Sequence, residues 1–201
     1  DMTLRAYERL VDVARLRTEF IVVDNASPHV RRFPGARLVR NDPNQGVARA
    51  WNQGIRLARA PLIAVLNNDC FVEAGWDEAL ALAVRSGRRI AFPYTDHGDG
   101  EGHRVPDQAG TAGWCFMLSR ALYDELGPFD EAFTPAFCED TDYWHRAWEA
   151  GVELTPVPAA RVWHERRTTT GTDPRVEQLL FAHRHKYGWK HGVEALAAPP
   201  Y

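Results

Sequence analysis

The chain has little of what would mark a membrane span, a disulfide scaffold or a nucleic-acid binder. Its longest apolar runs are far too short to cross a bilayer, and its first residues lack the pattern of a signal peptide. Cysteine is scarce and odd in number: Cys70, Cys115 and Cys138 have no metal-type spacing and fit packed thiols in a reducing compartment. Charge of one sign is lacking too. The formal net charge of -3 gives no basic field for nucleic acid or an anionic surface. Internal repeats and long linkers are absent. What remains is an ordinary globular composition, 45% hydrophobic and 25% charged over 201 residues, enough for one well-buried domain. Seven tryptophans are many for this length, and core packing is the expected role for most.

Along the chain, short apolar runs alternate with amphipathic stretches. Leu4, Tyr7, Val11 and Ala14 share a helical face, with Thr3 placed as N-cap. Phe20 to Val23 reads as a buried strand ending in the polar turn Asp24-Asn25-Ala26-Ser27-Pro28. A helix feeding directly into a buried strand is the second half of a βαβ unit, so its first strand is expected to be missing. Arg37 to Arg40 is a second strand, followed by the turn cluster Asn41 to Gly46. Val47, Trp51, Ile55 and Ala58 then mark a helix that Pro61 stops. Gly54 inside it costs about 1 kcal/mol relative to Ala, which suggests close packing.

Leu62 to Leu66 is a continuous apolar run of the kind buried on both faces at the centre of a parallel sheet. It runs into Asn67-Asn68-Asp69, polar groups that need water, a metal or a ligand. In open α/β sheets ligands sit outside the carboxyl ends of strands, which puts Asp69 at the mouth of a cleft. Trp76, Leu80 and Val84 mark a further helix and Ile90 to Phe92 a strand. Residues 95 to 113 are glycine-rich with little periodicity, a surface loop or substrate lid. Asp96, Asp99 and Glu101 lack the ordered pattern of a calcium loop. Trp114 to Leu118 is a strand and Ala121 to Leu126 a short helix closed by Gly127-Pro128. A helix over Tyr143 to Ala150, strands over 154–157 and 161–164, and a basic-ended helix over Val176 to Tyr187 complete the pattern. His183 and His185, two apart on that helix, read as surface residues.

Two acidic clusters carry the chemistry. Asp69 offers a hard oxygen ligand, and magnesium or manganese on a diphosphate needs only one or two carboxylates from the protein. His164, ending an apolar strand, adds a nitrogen that tilts the preference towards manganese. Glu139, Asp140 and Asp142 lie where a helix begins, whose partial positive charge favours an ionised carboxylate able to take a proton from an attacking hydroxyl. Helix capping is the simpler use of the same residues.

The motifs, in order, resemble those of family 2 of the inverting GT-A glycosyltransferases, particularly its rhamnosyltransferase-like members. They are Val22-Val23-Asp24-Asn25-Ala26-Ser27; Asn44-Gln45-Gly46 with Asn52-Gln53-Gly54; Leu66-Asn67-Asn68-Asp69; Phe129-Asp130-Glu131; Glu139-Asp140-Thr141-Asp142 with Arg146 and Gly151; Val162-Trp163-His164; and Arg184-His185-Lys186-Tyr187-Gly188. The resemblance implies one GT-A-like α/β domain with a mainly parallel central sheet flanked by helices and without the family's first nucleotide-binding strand. Residues 1–94 would form the nucleotide-sugar-binding half, and residues 95–201 the acceptor-side half with the C-terminal helix.

It further implies transfer with inversion from a nucleotide-diphosphate sugar to a hydroxyl acceptor: a glycan, lipid-linked glycan, protein, metabolite or modified DNA. Asp140 would be the general base, with Glu139 and Asp142 on the acceptor side. Asp24, Asn25, Asn44, Gly46, Asn52, Asn67 and Asn68 would line the donor site, and Asp69 with His164 would hold Mn2+ or Mg2+. Asn67 stands where the family's pattern has a first acid. The expected location is cytoplasmic or peripheral at a membrane. The alternatives are a nucleotidyltransferase, for which a glycine-rich phosphate loop is wanting, and a catalytically silent nucleotide- or carbohydrate-binding module.

Overall fold

The computed structural model describes residues 2–98, 104–106, 113–165 and 174–194. In chain order the elements are α1 (Met2–Val13), β1 (Phe20–Asn25), β2 (Ala36–Asn41), α2 (Val47–Leu57), β3 (Leu62–Leu66), β4 (Cys70–Val72) and α3 (Trp76–Arg85). There follow β5 (Arg89–Gly98), β6 (Arg104–Pro106), β7 (Cys115–Ser119), α4 (Arg120–Leu126), α5 (Glu139–Glu149), β8 (Glu153–His164) and α6 (Pro174–His191). Strands β1 and β2 pair in parallel. The other six form one sheet in the order β3-β7-β5-β8-β4, with β6 on the far end of β5.

The sheet departs from the mainly parallel arrangement expected. Among described pairs only β1/β2 and β5/β8 are parallel; β3/β7, β5/β7, β4/β8 and β5/β6 are antiparallel. Along β3, Ile63 and Val65 are buried on one face, while on the other Leu62 and Leu66 are half-buried and Ala64 is exposed; the strand ends the hydrogen-bonded order and is not central. Helices on both sides give an antiparallel strand the same continuous apolar pattern that a parallel one has. The two strands read at 154–157 and 161–164 are one strand, β8. Its register against β5 jumps from Pro93↔Val157 to Tyr94↔Arg161, a bulge that hides the continuity in the sequence. Strand β4 is too short for a periodic signal. Strands β5 and β6 reach into the stretch read as a loop, whose residues 99–103 and 107–112 lie outside the described residues.

The core has two halves, one on each face. Ile63, Val65, Ile90, Phe92, Phe116 and Leu118 meet α2, α4 and α5 through Ile55, Leu122, Tyr143, Trp144 and Ala147. Cys70, Val72, Ala91, Cys115, Met117 and Val162 meet α1 and α3 through Val13, Trp76, Leu80 and Val84. All three cysteines are free and buried, as expected of packed thiols. The same helices tie β1 to β3, although these two strands share no hydrogen bonds. On one face α2 touches Val23 while its Ile55 packs with Ile63 and Val65. On the other face Tyr7 of α1 meets Phe20 edge-on, while Leu10 and Leu16 pack in the cluster that takes in Leu62 and Leu66. Glu19 closes the lower end, accepting hydrogen bonds from the Arg59 and Ala60 N–H groups.

Two local readings change. Thr3 is not an N-cap but lies inside α1, where its hydroxyl receives the Asn68 side-chain amide at 3.0 Å. Gly54 does sit close to β1, but a Cβ there would meet Val23 Cγ2 at 3.5 Å, an ordinary contact, so the approach does not demand glycine. Gly46 is the opposite case. Its φ of +85° is left-handed, and a Cβ would press on Thr134 and Pro135 at 3.0–3.2 Å.

Candidate active site

The pairing of β4 with β8 brings together the two residues expected to hold a metal. Cys70 lies opposite His164, and Asp69, one residue before, hydrogen-bonds through its carbonyl to the Glu165 N–H at 3.0 Å. The Asp69 carboxylate and His164 Nε2 come within 3.2 Å, and both residues are buried. Cis ligands of an octahedral divalent ion with bonds of about 2.1 Å stand about 3 Å apart, so the pair has the spacing and the O,N chemistry that Mn2+ or Mg2+ takes. Cys70 completes a three-residue cluster with them. Burial holds its thiol protonated, helped by Cys115 and Asp69 nearby, and the thiol donates to the Trp114 carbonyl at 3.3 Å.

Trp114 is the piece that motif reading missed. Its ring stacks on His164 with centroids 4.8 Å apart and 18° between planes, while its Nε1–H donates to Thr95 Oγ1 at 3.2 Å. Its carbonyl also receives the Asn67 N–H at 2.8 Å, fixing the end of β3. One residue earlier, the Gly113 N–H donates to Asp140 Oδ2 at 3.1 Å. A Cβ on Gly113 would sit 2.8 Å from Asp140 Cβ and 2.9 Å from the Trp51 ring, closer than real atoms come. Consecutive residues thus brace the Asp69–His164 pair and the acidic helix start. The signal for this was present only as a glycine before a strand.

Asp140 receives two further hydrogen bonds from its own turn, from the Thr141 N–H at 2.7 Å and the Thr141 hydroxyl at 3.3 Å, both on Oδ1. Burial raises its pKa, and the hydrogen bonds from Thr141 and Gly113 oppose that shift without cancelling it. The helix start is expected to favour the ionised form; desolvation by burial works against that and is the larger effect. Glu139 is pushed up more strongly by burial and by Asp140 beside it, and its Oε2 has no hydrogen-bond partner among the described residues. Asp142 is fully buried and faces α6, not the cleft. It binds Arg146 Nε at 3.1 Å, Lys190 Nζ at 2.6 Å and His191 Nε2 at 2.9 Å.

The residues assigned to the donor side divide. Asp24 is buried, which by itself would raise its pKa, but the Ser27 N–H and hydroxyl and an ion pair with Arg40 bring it below the usual carboxylate range. Asn25 is committed to the turn after β2. It donates to Asn44 Oδ1 at 2.8 Å and the Gly46 carbonyl at 3.1 Å, and accepts from Asn41 and the Gln45 N–H. Asn44 in turn accepts from the Gly46 N–H. Asn52 is 0% exposed with its amide fully used: it donates to Phe129 O and Glu131 and accepts from Tyr123 Oη and the Phe129 N–H. These three asparagines spend their side chains on backbone groups and neighbouring side chains. Asn67 is half-buried and Asn68 exposed, on either side of the strand tip.

The helix α6 enters the site indirectly. His183, read as surface, is buried, and its Nδ1 lies 2.8 Å and 3.0 Å from the carbonyls of Ala136 and Phe137. Two acceptors on one nitrogen place the proton there. Phe137 and Cys138 both have left-handed backbones, with φ of 76° and 67°, immediately before α5.

Comparison with known proteins follows this geometry. The sequence pattern described as "Glycosyl transferase family 2" matches residues 1–144, and the chain belongs to that family. His164 and α6 lie beyond the matched stretch. A putative polypeptide N-acetylgalactosaminyltransferase 9 of Drosophila melanogaster is 23% identical over 227 residues, covering 89% of this chain and 33% of the relative. An N-acetylglucosaminyl-diphospho-decaprenol L-rhamnosyltransferase of Mycobacterium tuberculosis is 30% identical over 87 residues, 39% of this chain and 28% of the relative. The chain spans about a third of the length of the curated relatives it matches. Among solved structures, GalNAc-T7 with UDP, GalNAc and Mn2+ superposes with a TM-score of 0.75 at 19% identity, covering 94% of this chain and 46% of that one. A mannosyltransferase of Pyrobaculum calidifontis with GDP-Man and Mn2+ gives 0.66 at 17%, covering 91% and 60%. The fold is therefore the GT-A-like α/β fold. Among the described residues no helix is long and apolar enough to cross a membrane.

Proposed function

We propose that this domain transfers a hexosyl or deoxyhexosyl group, with inversion, from a nucleotide-diphosphate sugar to a hydroxyl acceptor. The observation that carries the reading is the Gly113–Trp114 brace, which holds the Asp69–His164 pair and Asp140 to one short segment. Asp69 and His164 would hold a divalent cation, Mn2+ or Mg2+, whose chemistry is to neutralise charge on the leaving diphosphate. The solved structures with Mn2+ and UDP or GDP-Man support this reading by likeness of fold.

The chain's own residues supply the rest. Trp114 fixes the plane of His164, so the imidazole does not have to reorganise on donor binding. Asp140 takes the proton of the acceptor hydroxyl as that oxygen bonds to the anomeric carbon and the diphosphate leaves. A carboxylate whose pKa is raised by burial is a stronger base than one in water, and among the described residues no cation is paired with it to quench that basicity. Gly113 and Thr141 hold both its oxygens in place during the transfer. Asp24, locked by Arg40 and Ser27, stays ionised at the end of β1, where it supports the nucleotide side.

Binding of a panel of nucleotide sugars with and without Mn2+, measured by calorimetry, together with release of nucleoside diphosphate, tests the reading. Asp69→Ala is expected to lose metal-dependent donor binding. A variant that binds donor as the parent does, with or without Mn2+, would remove the metal assignment. Donor binding without turnover by any acceptor class would favour the silent binding module.

A further inference from the structure

A second cluster of metal-ligating side chains lies away from the cleft, between α5 and α6. His145 and Glu149 are one turn apart on α5, and His191 ends α6. A nitrogen of each ring and an oxygen of Glu149 all fall within 4.8 Å of one another. The two imidazoles stack, with centroids 4.0 Å apart and 28° between planes. His145 Nδ1 lies 2.6 Å from the Tyr187 hydroxyl, which leaves Nε2 on the side of Glu149, 3.4 Å from its carboxylate. His191 Nε2 lies 2.9 Å from Asp142 Oδ1.

Each imidazole is thus held by one nitrogen and retains the other as a ligand, the arrangement in which outer partners orient metal-binding histidines. The two imidazole rings are largely buried, with side chains 16% and 7% exposed, whereas Glu149 is 59% exposed. Three ligands of fixed origin with one side reached by water match the His, His, carboxylate set of a four-coordinate zinc ion. Two nitrogen donors also favour zinc over magnesium.

We propose that His145, Glu149 and His191 form a Zn2+ site that staples α6 to α5. The ion would bridge the two helices beside Asp142, adding metal–ligand bonds to a contact made by hydrogen bonds, ion pairs and ring packing. This site is independent of the donor-metal reading, and the test keeps the two apart. An Asp69→Ala/His164→Ala variant, stripped of the donor pair, is titrated with Zn2+ alone and then with Co2+. It is expected to bind one equivalent, to melt at a higher temperature with Zn2+, and to give the visible bands of a four-coordinate cobalt ion. Adding Glu149→Gln, an exposed change that leaves the fold intact, weakens binding at least about tenfold, and adding His145→Ala abolishes the cobalt bands. Absence of bound Zn2+ in the first variant, or binding that Glu149→Gln and His145→Ala leave unaltered, overturns the proposal.

Discussion

Asp140 and Asp142 stand two residues apart in the first turn of the same helix and live in opposite electrostatic worlds. Among the described residues Asp140 is held by N–H and hydroxyl groups alone, and burial raises its pKa. Asp142 is met by Arg146, Lys190 and His191 and is closed off from solvent. Sequence spacing turns one towards Gly113 and the other towards α6. A carboxylate kept apart from cations remains basic, while one surrounded by them becomes a strut.

The sharpest way to test that contrast is to neutralise each in turn. Asp140→Asn should leave donor binding intact and slow transfer by about 10²–10⁴-fold, the usual share of a general base. Its stability in urea should equal or exceed the parent's, because the amide removes the cost of a desolvated charge. Near-normal turnover would sink the assignment. Asp142→Asn should do the reverse, costing about 3–5 kcal/mol in a urea titration by stranding the cations around it. Loss of turnover without loss of stability would show that Asp142 is no strut.

A smaller break comes from between the two. Gly113→Ala forces a methyl to within 2.8 Å of Asp140 Cβ, so the base or the brace must move. The expected result is a kcat lowered about 10²-fold, the scale of an ångström-sized misplacement, with the donor's affinity nearly unchanged. The gentlest probe is pH. Because burial raises the Asp140 pKa, the rate should fall as pH drops through a value above the ordinary carboxylate range. Protonation there also relieves a buried charge, so the Asp140 contribution to stability improves on acidification. Asp24 has the opposite sign: its lowered pKa gives stability that is present above the unfolded value and lost as pH falls through the folded one. Comparing the pH dependence of Asp140→Asn with that of Arg40→Ala separates the two contributions.

What could be read from the sequence was set by local pattern. Asp69 was legible because five apolar residues run into it, and His164 because it ends an apolar strand. Asp140 was legible as a carboxylate at a helix start, though its raised pKa comes from burial, which spacing does not report. The edge position of β3 was hidden because helices on both faces give the same apolar run in either direction of pairing. Asp142 and His183 were misjudged for one reason. Each contact joins the start of α5 to α6 across 47 or 49 residues of sequence, and no local periodicity carries it.

The left-handed pair Phe137–Cys138 makes that distant contact matter. Each non-glycine residue held in such a conformation costs on the order of 1–3 kcal/mol, so the entry to α5 is under load. His183 reaches the carbonyl of Phe137 and the one before it and helps keep the load in place. The last described helix therefore acts like a tuning peg on a string: slackening it would let the first turn of α5 drift. A cut ahead of α6 would leave a folded sheet with the start of α5 untensioned.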